Sequence, residues 1–157
     1  MVRIRPYILY DCKEIMQLFY DTVHVINKKD YTEAQLDAWA PPTLDQEYWE
    51  NILKEHYSIV AELDNQIVGF SDMDDTGYLD HLFVHKDYQG RGIATALLNK
   101  LESYARIIGM DYIITHVSIT AKPFFLAKDF EVVKEQKVMK RGEWFTNFIM
   151  QKKIRKQ

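Results

Sequence analysis

The sequence contains a single cysteine, Cys12, so no intrachain disulfide can form, and a reducing compartment suits it best. No histidine lies near Cys12 in the chain, and its thiol reads as a buried one rather than a nucleophile. No apolar run approaches the ~18 residues of a membrane span, and the N-terminus lacks a secretory apolar core. The expected location is therefore cytoplasmic, with no membrane partner. Neither sign of charge dominates: 20 Lys+Arg stand against 23 Asp+Glu, interspersed, for a net charge of -3. That balance gives no reason to expect nucleic acid as a partner. The five histidines (His24, His56, His81, His85, His116) lack a ligand spacing such as His-x-x-x-His with a third donor, so no metal is expected. Internal repeats, low-complexity stretches and linkers are absent as well.

What is present fits one globular domain of ordinary composition, 47% apolar and 27% charged over 157 residues. The domain is expected over residues 1–152. The basic cluster Lys152-Lys153-Ile154-Arg155-Lys156 reads as a frayed tail, residues 153–157. Val2 to Tyr10 reads as a first strand. Asp11 is the expected N-cap of a helix over 12–26, whose Ile15, Leu18, Phe19, Val23 and Ile26 follow helical spacing. Thr32 and Gln35 form a capping box for a second helix that must stop by Pro41-Pro42. A short helix follows over 45–54.

From Tyr57 the apolar period changes to two. Strands are expected over 57–63, 66–71 and 78–84, joined by turns at Asp64-Asn65 and Asp74 to Gly77, as an antiparallel meander. A long helix over 91–108 ends at Gly109. A strand over 111–117 comes next, with Ile113 and Ile114 suggesting burial on both faces. A short helix over 121–127 precedes a hairpin, 131–139 and 144–151, closed by Lys140 to Glu143. The order is that of a mixed α/β sheet with one crossover helix in its middle.

The most informative segment is Leu82-Phe83-Val84 followed by Gln89-Gly90-Arg91-Gly92-Ile93-Ala94-Thr95. It places a strand, a glycine turn and a helix N-terminus in succession, which aims several free backbone N–H groups at one spot and attracts phosphate. A P-loop would need Lys and Ser/Thr after its last glycine, where Ile93 and Ala94 stand. A dinucleotide-binding turn would need a third glycine, where Thr95 stands, and a parallel sheet that the meander contradicts.

Gln89-Gly90-Arg91-Gly92-Ile93-Ala94 instead matches Gln/Arg-x-x-Gly-x-Gly/Ala, and the chain resembles the GNAT superfamily of N-acetyltransferases over almost its whole length. Asp21-Thr22-Val23-His24, Asp30-Tyr31, Ala38-Trp39-Ala40-Pro41, Ala121-Lys122-Pro123-Phe124-Phe125 and Arg141-Gly142 with Thr146-Asn147-Phe148 resemble the YafP-like subgroup. The resemblance implies a single-domain, mostly antiparallel sheet flanked by helices, with a V-shaped opening after the fourth strand. It implies acetyl-CoA as cosubstrate, no metal, and a small-molecule or peptide amine as acceptor, in a monomer or homodimer. It also implies that the backbone of Leu82, Phe83 and Val84 pairs with the pantetheine arm, that Gln89 to Thr95 hold the pyrophosphate, and that Ser118 and Phe124 border the cofactor.

Acetyl transfer needs a neutral amine, and an alkylamine with a pKa of about 10.4 is protonated at pH 7. Asp80 stands where other family members carry a base, but an ordinary carboxylate is too weak, so burial must raise its pKa or a water chain must help. His81 is the alternative base, although strand alternation turns it to the opposite face from Tyr78, Asp80 and Leu82 unless a bulge intervenes. Phe125 occupies the place of the family's usual tyrosine acid and cannot donate a proton. Ser118, Tyr112 or water are left for that role, or the thiol leaves unassisted. Among the early aromatics, His24, Tyr31 and Trp39, with Tyr78 from the strand, are the expected acceptor-pocket residues. The expected activity is acetyl transfer to a primary amine in a ternary complex; the alternative is a non-catalytic CoA-binding or sensor domain.

Overall fold

The computed structural model describes residues 1–154. Strand β1, Arg3–Pro6, is shorter than the alternation suggested, because Leu9–Asp11 folds into a 3-10 turn. Asp11 does not cap the following helix α1, Cys12–Ile26; its side chain makes no cap hydrogen bond there. Its carboxylate instead accepts both terminal nitrogens of Arg5 at 2.9 Å and the Ile8 N–H at 2.8 Å. Helix α2, Glu33–Trp39, begins with the expected capping box: Gln35 N–H donates to Thr32 Oγ1 and Thr32 N–H to Gln35 Oε1. Helix α3 spans Gln46–Glu55 behind the Asp45 cap.

Strands β2 (Tyr57–Leu63), β3 (Gln66–Met73) and β4 (Tyr78–Val84) form the antiparallel meander. Asp64 and Asn65 both adopt positive φ, as a tight hairpin turn requires. Helix α4, Ile93–Ile107, crosses over to β5, Tyr112–Ser118, and α5, Lys122–Ala127, precedes the hairpin of β6, Glu131–Lys140, and β7, Glu143–Lys153. Only Arg141 and Gly142 form that turn, both at positive φ, so the hairpin is tighter than the four-residue closure expected. The described chain stays in the fold past residue 152. Lys153 ends β7, Lys152 Nζ pairs with Glu102 at 2.9 Å, and Ile154 is buried. Any free tail lies at residues 155–157, outside the described residues.

The sheet runs β1-β2-β3-β4-β5-β7-β6 and is antiparallel except between β4 and β5. One face carries α1, α2 and α3, with Ile15, Phe19, Trp49 and Phe70 in its core; the other carries α4, with Leu97, Leu98 and Leu101. Ile113 is fully buried, whereas Ile114 is 38% exposed, so β5 is covered on one face there and not on both.

The feature that positions the site is where β4 and β5 meet. They pair only at Tyr78 with Ile114 and Leu79 with Thr115. Thr115 Oγ1 donates to Leu79 O, and Ile114 N–H to Gly77 O, which pins the junction. Beyond Leu79 the two strands diverge, giving the V-shaped opening.

Candidate active site

The opening between β4 and β5 is a cleft walled by the glycine turn and α4 at one end. Tyr31, Trp39 and the β6–β7 hairpin wall the other end. From Asp80 to Val84 the β4 edge that faces β5 has no strand partner among the described residues. Val84 O is taken by Gln89 Nε2 and by Thr22 Oγ1, which donates at 3.0 Å, and the rest of that edge can bind an extended amide chain.

At the glycine-turn end, Gly90 and Gly92 both have positive φ, 74° and 78°, and a Cβ at either would meet nothing within 4 Å. Glycine is therefore required here for backbone shape, with open space in front of it. Gly92 is the N-cap of α4, and the first intrahelical bond runs from Ala96 N–H to Gly92 O. The N–H groups of Ile93, Ala94 and Thr95 have no acceptor within the helix, and all three residues line the cleft. Gln89 acts through its side chain on the loop itself, donating to Val84 O at 2.7 Å. The Arg91 guanidinium lies over the Tyr88 ring at 4.9 Å and does not line the cleft.

At the middle of the cleft the expected alternation breaks. Asp72 faces His81 and Met73 faces Leu79, which leaves Asp80 as an extra residue, a β-bulge. Leu79, Leu82 and Val84 pack with the α4 core, while His81 and Phe83 pack among Phe19, Trp49 and Phe70 on the opposite face. The expectation that His81 points away from Asp80, and that Leu82 shares its face, is corrected: Asp80 Oδ2 and His81 Nδ1 are 3.8 Å apart.

His81 Nδ1 donates to Asp72 Oδ1 at 2.8 Å, and His56 Nδ1 donates to Asp72 Oδ2 at 2.7 Å. The Asp72 side chain has no solvent exposure. With Nδ1 so engaged, Nε2 of His81 has no protein partner among the described residues, and His81 lines the cleft. Burial disfavours charge on His81, yet the Asp72 carboxylate and then Asp80 outweigh it and raise its pKa. Burial raises Asp80 above the usual carboxylate range, more than the nearby imidazoles lower it. Burial pushes the Tyr78 hydroxyl up to about 12, with Asp80 adding to it. Asp80 and Tyr78 both line the cleft.

Other expected residues divide. Tyr31 and Trp39 line the cleft with their rings edge to face, and Tyr31 OH donates to Thr146 O while accepting from Ile119 N–H. His24 does not line it; its Nε2 bonds Ala40 O at 2.7 Å and its ring lies on Tyr20, so it fastens α1 to the end of α2. Ser118 and Phe124 line the cleft, Ser118 Oγ accepting from Ala121 N–H. Phe125 is buried against Phe130. Tyr112 borders a separate hollow with Glu102 and Arg106, away from the cleft, and drops out as an acid. Cys12 is buried, and burial raises its thiol pKa.

Residues that the sequence reading missed are Asp72, His56, Lys140 and Asn147. Asp72 carried a signal, a carboxylate in the run Val68 to Met73 where every other residue is small or apolar except Ser71. His56 sits just before β2 and becomes relevant only through the β2–β3 pairing. Asn147 lines the cleft with its Oδ1 buried and unpaired. The absence of a metal-like spacing along the chain also hid a cluster in space: donor atoms of His56, Asp72 and Asp80 lie within 4.8 Å of one another. The 2.7 Å contact between His56 and Asp72 is of hydrogen-bond length, so a cation there would have to replace the shared proton.

Residues 27–153 match the family described as acetyltransferase (GNAT) domain. Over 152 residues the chain is 37% identical to the uncharacterized N-acetyltransferase YafP of Escherichia coli (strain K12), covering 97% of this chain and 96% of that protein. A crystal structure of a GCN5-related N-acetyltransferase from Rhodopseudomonas palustris superimposes with a TM-score of 0.93 at 29% identity, covering 96% and 94% of the two chains. The PaiA N-acetyltransferase from Thermoplasma acidophilum, solved in complex with coenzyme A, shares the fold at a TM-score of 0.79 and 19% identity, covering 98% and 99%.

Proposed function

The chain belongs to the acetyltransferase (GNAT) family, and on that premise we propose that it moves an acetyl group from acetyl-CoA to a primary amine in a ternary complex, with Asp80 and His81 handling the proton. The observation that carries this reading is the bulge at Asp80. It sets a carboxylate and an Asp72-bound imidazole side by side at the point where β4 leaves β5.

The donor end fits a diphosphate: Gly90 and Gly92 leave open space before the free N–H groups of Ile93, Ala94 and Thr95, at the positive end of α4. The β4 edge from Leu82 to Val84 lacks a strand partner on the β5 side and can pair with the amide-bearing arm at groups other than Val84 O. Coenzyme-bound relatives of this fold support the same donor. When bound, acetyl-CoA supplies an activated thioester carbonyl. The chain's own residues orient the amine and remove its proton. Asp80, raised by burial, attracts the incoming ammonium and takes its proton; Nε2 of His81, left as the acceptor nitrogen by the Nδ1–Asp72 bond, is the second group that can take a proton from the amine. Asn147 Oδ1 offers the amine a hydrogen-bond acceptor, and Tyr31, Trp39 and Tyr78 enclose the acceptor's carbon frame. Ser118 lines the cleft with its Oγ accepting from Ala121 N–H, so its own proton would be available to a leaving thiolate.

The test is thiol release from acetyl-CoA across a panel of amines, with the acetylated product identified by mass. Turnover with at least one amine supports the reading. Binding of acetyl-CoA with no release against any amine would instead favour a CoA-binding sensor, a reading that the buried Phe125 in place of a proton donor encourages.

A further inference from the structure

Behind the cleft, Asp72 accepts one imidazole on each oxygen: His81 on the cleft side and His56 on the far side. We propose that His56 is a positioning residue, which acts through the shared Asp72 carboxylate to set the pH at which His81 takes up a proton. This rests on the reading of His81 and Asp80 as the proton-handling pair.

The geometry leaves little else for His56 to do. It does not line the cleft, and its Nδ1 is committed to Asp72. Asp72 has no solvent to compensate its charge, so it needs a cationic partner. If His81 supplied that charge permanently, it would be saturated with protons and useless as an acceptor. His56, on the other Asp72 oxygen, is the second candidate. The Asp72 hydrogen bond raises its pKa against burial, with charges of Asp72, Asp80 and Asp74 adding to it. With His56 protonated, the Asp72 charge is shared between two imidazoles, and its pull on a second proton at His81 is weaker than if His81 held the carboxylate alone. A proton taken up by His81 goes to Nε2, the nitrogen not bonded to Asp72, and leaves both Asp72 hydrogen bonds in place.

The other charged and titratable groups around this chain are few: Asp80 on the bulge, Asp74 in the β3–β4 turn, Tyr48 of α3, Tyr78 and, from the hairpin, Lys140. Phe19, Trp49, Phe70 and Phe83 fill the rest of the wall around His81.

The two neighbours of His81 should act in opposite directions. His56→Gln keeps a donor for Asp72 but removes a positive charge, so His81 should titrate about one unit higher. Asp72→Asn keeps an acceptor for His81 but removes a negative charge, so His81 should titrate about one unit lower. The experiment is an NMR titration of the full chain with nitrogen-15-labelled histidine, paired with the pH profile of turnover at saturating acetyl-CoA. The acid limb should move with His81 in each variant while the KM for acetyl-CoA stays constant. Should either variant fail to fold, the wild-type titration alone decides. A coupled pair shows an inflection of each imidazole at the other's midpoint. Independent single-site curves, or a His81 midpoint unmoved in His56→Gln, overturn the proposal. The NMR arm needs no turnover, so an inactive protein with coupled histidines would count against the acetyl-transfer reading and leave this coupling standing.

Discussion

His81 on β4 and Asp72 on β3 face each other across the register, and the 2.8 Å hydrogen bond between Nδ1 and Oδ1 fixes both the tautomer and the orientation of the imidazole. The bulge that follows delivers Asp80 to within 3.8 Å of the same nitrogen. The proposed proton chemistry depends on that local irregularity.

Asp80→Asn should lower turnover at pH 7 by ~10²-fold or more, with acetyl-CoA affinity little changed, because Asp80 stands near the start of β4 and the glycine turn follows the strand's far end. Steady-state kinetics beside a binding titration separate the two effects. Unchanged turnover would remove Asp80 from the chemistry.

Gly92→Val should weaken coenzyme binding by roughly 10-fold or more, since a branched side chain at φ 78° is strained and would enter the open space before the helix N-terminus. Calorimetry on the folded variant measures it, and wild-type affinity would count against a diphosphate at this turn.

Gly77→Ala should destabilise the fold by about 2 kcal/mol or more. Gly77 lies at φ 96°, and an added Cβ would collide with the backbone carbonyl of Tyr112, where the start of β4 meets β5. Chemical denaturation gives the value. A loss within 0.5 kcal/mol, about the ordinary surface range, would show that the β4–β5 junction yields freely.

The stability contributed by the histidine–Asp72 cluster should depend on pH in a defined direction. His56 and His81 have pKa values raised from 6.5, so their contribution is full below that value and fades as pH rises through the raised pKa values. Asp72 is lowered from 3.8, burial being outweighed by the two histidines, so its contribution is present above that value and fades as pH falls through the lowered one. The Tm difference between wild type and Asp72→Asn should therefore be widest at about pH 5 and narrower at about pH 9. Calorimetric scans at both pH values check this; an equal difference at both would contradict it.

Much of this fold was legible because its signals are local. The Thr32–Gln35 capping box, the Asp64-Asn65 turn and the Gly90–Gly92 turn each announce a backbone shape within a few residues. The backbone shape of the glycine turn could thus be read directly. The arrangement around Asp80 and His81 could not. A single extra residue at Asp80 reverses the side of every strand position beyond it, and alternation alone assigns His81 to the wrong face. Asp72 and His56 join the site through pairing between separate strands, which leaves no trace in chain spacing. His24 and Asp11 show the reverse error: each is a plausible functional or capping residue by sequence, and each is taken up by a partner elsewhere, Ala40 O and Arg5.

The most direct measurement is a calorimetric titration of the full chain with acetyl-CoA. The account predicts one site per chain, with a Kd of about 1–100 µM, that competes with coenzyme A and is weakened by Gly92→Val. No detectable heat, or binding indifferent to that substitution, would contradict it.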